Sequence, residues 1–463
     1  EEGVYTEEAG EYAGSYVRDA NDEIVNNLRD RGLLLSEGTH KHRYGHCWRC
    51  DTPIIFVATD QWFVTVVPIK EKLKEELKKS EWYPEWARDS RFWDWVDNAR
   101  DWCISRQRYW GTPMPVWECE NEHRTVVGTL DELEEKTLDD TDVRSDNFDM
   151  HRPTVDSLKL ECDECGQPAE RVEDIFDVWL DSAVASLASL DYPQREDKFE
   201  EFWPADLIIE AHDQTRGWFW SQLAMCVAAL DKAPYKEVAM YGHMLDENGE
   251  AMSKSRGNIV SPVEVVEEYG ADPFRLYLLL GNPDGEDIRF SWDRVEEMYR
   301  RLNVFWNTFR FPLPYMDLDD FDPSETTVED VELTEVDRWV LSRLQSVKSE
   351  VEEHMEELET HKAQETLLSF VTEDVSRFYV QVVRPRMWDE DDSEEKLAAY
   401  ATLYRVLEES VTMLAPFAPF VSESMYQRLD GSATTVHELY WPEVNEGLLD
   451  KQLESDMEVL RQV

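Results

Sequence analysis

One short loop carries residue types that suit the binding of a polyphosphate. Ser253, Lys254 and Ser255 follow one another in a turn-rich segment that is flanked by Gly249 and Gly257. A lysine gives a point charge to phosphate oxygens, and such a charge stabilises a leaving pyrophosphate. We therefore predict a phosphate-binding loop with catalytic roles for these three residues. A solvated surface turn is the simpler alternative.

A second group of polar residues follows the run DLIIE (206–210), which predicts a short buried strand. Glu210 ends this run, Asp213 and Gln214 follow in a turn, and Trp218 begins an apolar helix. Open α/β sheets bind ligands at the carboxyl ends of their strands. Carboxylates and an amide suit the charged groups of an amino acid, and an indole suits an aliphatic side chain. Helix capping is the alternative for Asp213 and Gln214.

Cysteine and histidine residues have the spacing of a metal site. Three residues separate Cys119 from His123 (Cys-x3-His), and Cys162 and Cys165 form a CxxC pair. Together they supply enough nitrogen and sulfur ligands for a closed tetrahedral zinc ion, which would stabilise a segment with a thin core. The alternative is that these residues bind no metal.

A further CxxC pair, Cys47 and Cys50, forms half of such a site. CxxC pairs in a chain without a secretion signal favour metal over disulfides. A site built from this pair together with Cys162 and Cys165 is the less favoured arrangement.

Arginines interleave with aromatic residues in two places. Guanidinium groups and aromatic rings suit RNA phosphates and unstacked bases. Cation–π packing, or ion pairs with the many carboxylates, explains the same clusters equally well. The arginines predicted to contact RNA are Arg106 and Arg108, beside Tyr109 and Trp110, and Arg384 and Arg386, beside Trp388.

The composition limits the class of protein. The chain has 463 residues, with 101 acidic and 47 basic residues, a formal charge of −54, and 18 each of Trp, Tyr and Phe. Disordered acidic chains are poor in aromatic residues, so a folded protein of about three domains is expected. Because the acidic residues are spread along the chain, we predict a cytoplasmic protein of a halophile, where salt screens the charge. Loose, general nucleic-acid binding is disfavoured, since it needs a basic face.

The sequence predicts neither a membrane span nor secretion. No apolar run approaches about 18 residues. The first residues, EEGVYTEEAG, lack the basic and apolar regions of a signal peptide. We therefore expect no membrane partner.

The elements that position these residues alternate between strand and helix. The runs 206–210 and 238–241 predict strands on either side of the helix 217–230, which indicates a parallel α/β sheet. Residues 119–173 predict a small inserted module. Further predicted elements are helices at 16–34 and 68–79 and strands within 54–67.

The pattern becomes helical from about residue 300. Thr334 begins a long helix with Asp337 as an acidic capping-box analogue, and further helices are predicted near 361–383 and 393–414. This half is expected to form a helical bundle, with a domain break near Trp306.

Several stretches resemble the class I aminoacyl-tRNA synthetases. Residues 251–255 (AMSKS) resemble the family's KMSKS loop, with Ala251 in place of the first lysine and Lys254 as the second, on which the chemistry mainly rests. Residues 210–219 (EAHDQTRGWF) are similar to the EGxDQxRGWF stretch of isoleucyl, valyl and leucyl enzymes, and residues 177–182 (DVWLDS) to their DVWFDS.

The resemblance implies roles for the candidate residues. Those implied in binding the aminoacyl-adenylate are Glu210, Asp213, Gln214, Trp179 and Trp218, with the two tryptophans as walls of the side-chain pocket. Those implied in binding ATP are Lys254, Gly242 and His243. The family's HIGH tetrapeptide, which steadies the ATP phosphates, does not occur in the sequence. We therefore expect a fragment that is inactive alone.

Other stretches separate members of the subgroup. Residues 47–53 (CWRCDTP) and 104–113 (ISRQRYWGTP) resemble isoleucyl enzymes, whereas valyl enzymes usually have ISRQxWWGH at the second stretch. Residues 379–388 and 415–420 resemble the family's anticodon-binding bundle. A valyl enzyme, or a non-catalytic fragment that binds tRNA or zinc, is the alternative.

The resemblance implies a fold, a reaction and partners. The expected fold is a Rossmann-like class I catalytic half with a zinc-ribbon insert, followed by an α-helical anticodon-binding bundle. The reaction would activate isoleucine with ATP and Mg²⁺ and transfer it to the terminal ribose of tRNA(Ile). Zinc would be structural, and the enzyme would be a monomer.

The predicted domains follow from the same comparison. They are the tail of an inserted editing domain (1–45), the first part of the catalytic core (46–118), the zinc-ribbon-like insert (119–173), the second part of the core (174–244), the KMSKS connector (245–300) and the helical domain (301–463).

Overall fold

The computed structural model describes residues 3–47, 50–57, 59–280, 285–390, 393–429 and 433–462. Trp48 and Arg49 of the CWRC stretch lie outside the described residues. The chain forms two compact units, one of Glu1–Val64 with Asp101–Asp177 and the other of Thr65–Arg100 with Val178–Val463. Among the described residues, no helix has the length and apolar character needed to cross a membrane.

The strands and helices are numbered in chain order. The strands are β1 (Phe63–Val64), β2 (Glu81–Tyr83), β3 (Trp102–Cys103), β4 (Ser105–Arg106), β5 (Val116–Cys119), β6 (Arg124–Val126), β7 (Lys159–Glu161), β8 (Pro168–Arg171), β9 (Ile175–Phe176), β10 (Ala205–Ala211), β11 (Tyr235–Tyr241), β12 (Met244–Leu245) and β13 (Ile288–Arg289). The α-helices are α1 (Asn21–Asp30), α2 (Lys70–Leu77), α3 (Trp93–Asp97), α4 (Leu130–Lys136), α5 (Val178–Ala183), α6 (Ala185–Ala188), α7 (Glu196–Phe202), α8 (Trp218–Leu230), α9 (Pro262–Tyr269), α10 (Ala271–Leu280), α11 (Trp292–Arg310), α12 (Leu313–Leu318), α13 (Glu335–Glu356), α14 (Thr360–Ser369), α15 (Val380–Met387), α16 (Glu394–Leu414), α17 (Pro419–Tyr426) and α18 (Lys451–Gln462).

A parallel sheet lies at the centre of the second unit. Its strand order is β10-β11-β2. The β10–β11 pairing runs from Ala205 opposite Tyr235 to Ala211 opposite Tyr241, and β2 joins the other edge of β11. Helix α8 connects β10 to β11 and buries most of its apolar side chains. The predicted strand–helix–strand alternation is therefore confirmed, and both strands are longer than predicted.

A separate antiparallel sheet forms a small module in the first unit. Its strand order is β6-β5-β8-β7. Trp117, Leu160 and Ala169 are buried at its core, and the indole of Trp117 donates a hydrogen bond to the carbonyl of Leu158. We call residues 116–171 the metal module.

The prediction of strands over 54–67 was largely wrong. Among the described residues of this segment, only Phe63 and Val64 pair, with Cys103 and Trp102, and Phe56 is 88% exposed. β-branched and aromatic residues fit a pleated, half-buried surface, and most of this segment has no such surface to pack on. Two predicted helices are shorter, α1 and α2, and α1 ends before Gly32, whose φ is +67°.

The helical half forms one large apolar core. Thr334 and Asp337 make the predicted capping box at the start of α13. The single helix predicted over 361–383 contains a π-helical stretch, Phe370–Tyr379, between α14 and α15. Helix α11 runs without a break through Trp306, so no linker marks the predicted domain break there. The domain boundaries stay predictions.

Candidate active site and metal centre

The carboxyl ends of β10 and β11 lie side by side, as the ligand-binding edge of an open α/β sheet requires. Ala211 and Tyr241 are paired neighbours at this edge. The hydroxyl of Tyr241 donates a hydrogen bond to Glu210 Oε2 at 3.5 Å. Burial, followed by the neighbouring Glu210 carboxylate, raises the pKa of Tyr241, so this phenol remains a donor.

The turn after β10 places the predicted polar residues. Gln214 Oε1 accepts the backbone N–H of Trp218 at 2.9 Å, and Gln214 Nε2 donates to Asp213 Oδ2 at 3.0 Å. A Cβ at Gly217 would lie 2.5 Å from Gln214 Oε1, so glycine allows this approach. Gln214 therefore satisfies the start of α8, as the capping alternative predicted, and orients Asp213.

The two tryptophans predicted as pocket walls lie on helices that pack together. Helices α5 and α8 are in contact. The indole N–H of Trp218 donates to the carbonyl of Ser182 at 3.0 Å, which fixes the ring against α5. Trp179, on α5, is 45% exposed. An exposed and a half-buried indole on neighbouring helices offer an apolar surface for a side chain.

Two histidines meet one carboxylate beside these residues. His212 Nε2 lies 3.0 Å from Asp287 Oδ1, and the backbone N–H of His243 donates to the same oxygen at 2.7 Å. His243 Nε2 lies 3.4 Å from Asp213 Oδ1. The backbone N–H of His243 is the main cause of a lowered pKa at Asp287. We call this edge, with residues 212–216, 242–245 and 285–290, the sheet-edge site.

Sequence reasoning selected His243 and Asp213 but missed His212 and Asp287. His212 is adjacent to Asp213, so its place in the turn was a usable signal. Asp287 is 44 positions from His243 and 75 from His212 along the chain. No local pattern links residues at that separation.

The predicted phosphate loop is held by a buried aspartate and an asparagine. Asp246 Oδ1 accepts the backbone N–H groups of Asn248 and Glu250 at 3.0 and 2.8 Å. Asn258 Nδ2 donates to Asp246 Oδ2 at 2.9 Å, and Asn258 Oδ1 accepts the backbone N–H of Ser253. The bond from Asn258 lowers the pKa of Asp246. We call residues 246–258 the lysine loop.

The hydroxyls and the ammonium of the lysine loop face different surroundings. Ser253 Oγ and Ser255 Oγ lie 3.2 Å apart. Lys254 is exposed and forms no ion pair with any described residue. Met252 packs against the core of the helical half. The loop is therefore anchored at its ends and by Met252, and it presents Lys254 to solvent.

The predicted zinc ligands come together in the metal module. The ligand atoms of Cys119, His123, Cys162 and Cys165 all lie within 4.8 Å of one another. Cys119 Sγ is 3.7 Å from Cys165 Sγ, and Cys162 Sγ is 3.8 Å from His123 Nδ1. Zinc bonds of about 2.3 Å to sulfur in a tetrahedron put ligand atoms about 3.7 Å apart. The donor set and its spacing therefore fit zinc.

Local turns create this arrangement. The N–H of Cys119 donates to His123 O, and that of Cys162 to Gln167 O. Positive φ values at Glu122 (62°) and Gly166 (68°) tighten the two turns. Because Cys119, at the end of β5, pairs with Ala169, near the start of β8, the two turns lie at the same end of these strands.

Neighbouring groups influence the orientation of His123 and the pKa values of the cysteine ligands. His123 Nε2 faces Glu164 Oε2 at 3.7 Å, the kind of carboxylate that orients a ligating imidazole. The backbone N–H of Gln167 is the main cause of a lowered pKa at Cys165, whereas burial raises the pKa of Cys119.

The predicted half-site has the same turn. Cys47 N–H donates to Thr52 O, and Asp51 N–H donates to Cys47 O, which matches the bonds of the turn that begins at Cys162. Asp51 has a φ of +58°. Among the described residues, Cys47 and Cys50 do not belong to any group of side chains that could hold a metal ion. Their role as metal ligands therefore stays a prediction.

The arginines predicted to contact RNA differ in their surroundings. Arg386 makes a bidentate pair with Asp337 at 2.9 and 3.1 Å inside the bundle. Arg106 pairs with Asp177 at 2.6 Å. These two favour the ion-pair alternative. Arg384 stacks over Phe311 and Trp388, and Arg108 is exposed.

Family comparisons agree with this geometry. Residues 7–291 match the sequence profile described as "tRNA synthetases class I (I, L, M and V)". The chain belongs to this family. Residues 337–463 match the profile "Anticodon-binding domain of tRNA ligase". The predicted family and fold class, a class I catalytic fold with a helical anticodon-binding domain, are therefore confirmed.

The chain is similar to individual proteins of known sequence or structure. Isoleucine–tRNA ligases of Haloquadratum walsbyi and Natronomonas pharaonis are each 54% identical over the whole chain, which spans 44% of each relative's length. The methionyl-tRNA synthetase of Mycobacterium tuberculosis in complex with methionyl-adenylate has a TM-score of 0.58 at 18% identity, over 82% of this chain and 65% of that one. At that identity the likeness shows the fold alone.

Proposed function

We propose that this chain is part of an isoleucine–tRNA ligase. The observation that carries the proposal is the 54% identity to isoleucine–tRNA ligases along the whole chain. In the proposed reaction the carboxylate of isoleucine attacks the α-phosphate of ATP, pyrophosphate leaves, and isoleucyl-adenylate forms. The isoleucyl group then passes to the terminal ribose of tRNA(Ile), and AMP leaves.

The sheet-edge site and the neighbouring residues of β10, α5 and α8 support roles in the first step. Glu210 and Asp213 are carboxylates that suit the ammonium group of isoleucine, and Gln214 orients Asp213. Trp179 and Trp218 would contact the aliphatic side chain. Catalysis would rest on positioning and charge stabilisation, without a covalent enzyme intermediate.

The lysine loop supports a role at the leaving group. Lys254 is exposed on an anchored loop, so its ammonium can reach a polyphosphate, with Ser253 and Ser255 as hydroxyl donors. Mg²⁺ would enter with ATP as part of the substrate. Gly242 and His243 are proposed at the nucleotide, beside the carboxyl end of β11.

The metal module supports a structural zinc site. Zinc, when bound, would cross-link two turns of a small sheet. Cys119, His123, Cys162 and Cys165 would hold the ion, and Cys47 and Cys50 would contribute to a second site. We further propose that Arg108 and Arg384 contact tRNA(Ile), and that the protein acts in the cytoplasm of a halophile, for which its acidic surface is suited.

The test is isoleucine-dependent ATP–pyrophosphate exchange in multimolar KCl. The chain is assayed alone and together with the remaining sequence of a halophilic relative, which contributes the HIGH tetrapeptide. We expect exchange only in the complemented sample, with isoleucine preferred over valine. One methylene in an apolar pocket is worth about 1–3 kcal/mol, so the preference should be about tenfold or more.

The outcomes separate the alternatives. Preference for valine would identify a valyl enzyme. Complementation without exchange, but with binding of tRNA, would support a non-catalytic role. Exchange by the chain alone would show that the HIGH tetrapeptide is unnecessary for ATP binding here.

A further inference from the structure

Asp287 joins two segments that follow neighbouring strands of the central sheet. Its Oδ1 accepts one hydrogen bond from the side chain of His212, after β10, and one from the backbone of His243, after β11. Asp287 itself belongs to neither segment, because it precedes β13. One carboxylate oxygen therefore ties three separate parts of the chain together.

The backbone places this carboxylate without help from its side chain. The N–H of Ile288 donates to His243 O at 3.0 Å, and β12 and β13 pair in parallel. A Cβ at Gly242 would overlap the carbonyl of Glu286 and come within 2.5 Å of Asp287 N. Only a glycine at 242 lets the two backbones approach this closely.

The partners of His212 predict its tautomer. Arg91 Nη2 lies 3.5 Å from His212 Nδ1, and Arg91 Nε donates to Thr215 Oγ1 at 2.9 Å. A guanidinium can only donate hydrogen bonds. We therefore expect His212 Nδ1 to accept and Nε2, which lies 3.0 Å from Asp287 Oδ1, to carry the proton.

The ring of His243 completes the arrangement. Its centroid lies 4.4 Å from that of His212, with an angle of 55° between the rings. Its Nε2 faces Asp213 Oδ1. The His243 ring therefore faces Asp213 from a segment that is bonded both to the Asp287 carboxylate and, through the backbone, to Ile288.

We propose that Asp287 is a positioning residue for ATP: it holds the segment of His243 and the ring of His212 in one arrangement at the nucleotide end of the sheet-edge site. This inference rests on the proposed function. The same side chains match the ligand types of a divalent metal, but Asp287 Oδ1 is already occupied by two donors. Positioning is therefore the simpler role.

The kinetic test compares two substitutions in the complemented exchange assay. Asp287→Ala removes the acceptor and should raise KM for ATP about tenfold while changing KM for isoleucine less than about twofold, since a bond to a charged group is lost. Asp287→Asn keeps an oxygen acceptor and should recover most of the affinity. Asp206→Ala, at the amino end of β10 and paired with Lys236, is the matched control and should change neither constant.

The second test does not need activity. Long-range ¹H–¹⁵N spectra of the histidine-labelled chain, with His212→Gln for assignment, distinguish protonated from unprotonated ring nitrogens. We expect His212 to carry its proton on Nε2, and Asp287→Ala and Gly242→Ala to shift the His243 signals alike. Circular dichroism reports whether each variant is folded.

The outcomes keep the two proposals apart. A proton on Nδ1 of His212, or unchanged His243 signals in Asp287→Ala, would overturn the positioning role. Equal loss in Asp287→Asn and Asp287→Ala, with Zn²⁺ shifting both histidines of the wild type, would replace it with a metal site. A complemented wild-type sample without isoleucine-dependent exchange would refute the proposed function, while the spectra would still decide the geometry.

Discussion

The metal module and the sheet-edge site assemble their functional groups over different distances along the chain. In the metal module each ligand pair belongs to one tight turn, Cys119 with His123 and Cys162 with Cys165. In the sheet-edge site, His212 meets an aspartate 75 positions away. Short-range pairs are visible as spacing in a sequence, whereas long-range pairs depend on the fold that joins them.

This difference also predicts how each region responds to damage. The metal module has a small core, and its two turns face each other across the proposed ion. The sheet-edge site rests on a parallel sheet and on helices that bury large side chains. Loss of one ligand should therefore unfold the first region, whereas loss of one side chain should leave the second folded but less active.

Removal of the metal should have the largest effect and should be confined to the metal module. Zinc contributes about 10–16 kcal/mol to small zinc domains, so chelation or Cys162→Ser should abolish most hydrogen-exchange protection of β5–β8. Protection of β10, β11 and α8 should stay within about twofold. Hydrogen exchange followed by mass spectrometry measures both regions in one sample.

Cys103→Ser is the matched control for this experiment, because Cys103 lies in the same unit but outside the cluster. It should leave the protection of β5–β8 unchanged. Full protection of the module after chelation, with zinc shown to be absent, would refute a structural metal. Unfolding of both regions together would remove the distinction drawn between them.

Replacement of Lys254 should have the next largest effect, on activity and not on folding. Lys254→Ala should lower pyrophosphate exchange about a hundredfold, the scale of a lost charge-stabilising donor. Ala251→Lys, which restores the first lysine of the KMSKS pattern, should raise exchange no more than about threefold. Both are measured in the complemented assay, and equal small effects would contradict the role of Lys254.

Sequence patterns that involve residues close together in the chain predicted many of the strands, helices and candidate ligands. The run DLIIE (206–210) and the helix after it predicted β10 and α8, because strands and helices are continuous in sequence. The expected burial of the strand was only partly correct, since Ile208 and Ala211 are buried but Ile209 is 55% exposed. Thr334 and Asp337 predicted the capping box of α13. The pairs Cys119 with His123 and Cys162 with Cys165 were found because a tight turn brings residues three or four positions apart together.

Features that depend on distant partners were missed. Residues 54–67 have strand-forming side chains, yet of those that the structure describes only Phe63 and Val64 have a partner strand. Asp287 has no motif of its own, and only the β12–β13 pairing brings it to His243. Arg386 was selected for its aromatic neighbour, but the carboxylate that binds it, Asp337, lies 49 positions away.

The lysine loop tests whether the comparison extends to a segment that follows residues 242–245 of the sheet-edge site in the chain, because its anchor is local. Asp246 and Asn258 are 12 positions apart. In Asp246→Asn the new amide N–H₂ would face the N–H₂ donor of Asn258, so the hydrogen bond between the two side chains would be lost. The hydrogen-exchange protection of residues 246–258 should therefore fall about three- to tenfold, and that of β10 and β11 should not change.

The pH dependence of this anchor has a defined sign. The pKa of Asp246 is lowered in the fold, chiefly by the bond from Asn258. Its contribution is therefore fully present above the ordinary aspartate pKa and is lost as the pH falls through the lowered value. When hydrogen-exchange rates are corrected for the intrinsic effect of pH, the protection of the lysine loop should fall in acid in the wild type and should not change with pH in Asp246→Asn.

The double variant Asp246→Asn with Asn258→Asp swaps the two side chains and so restores a donor opposite a carboxylate. It should recover part of the hydrogen-exchange protection of the loop. No recovery would mean that the loop is held from elsewhere in the fold.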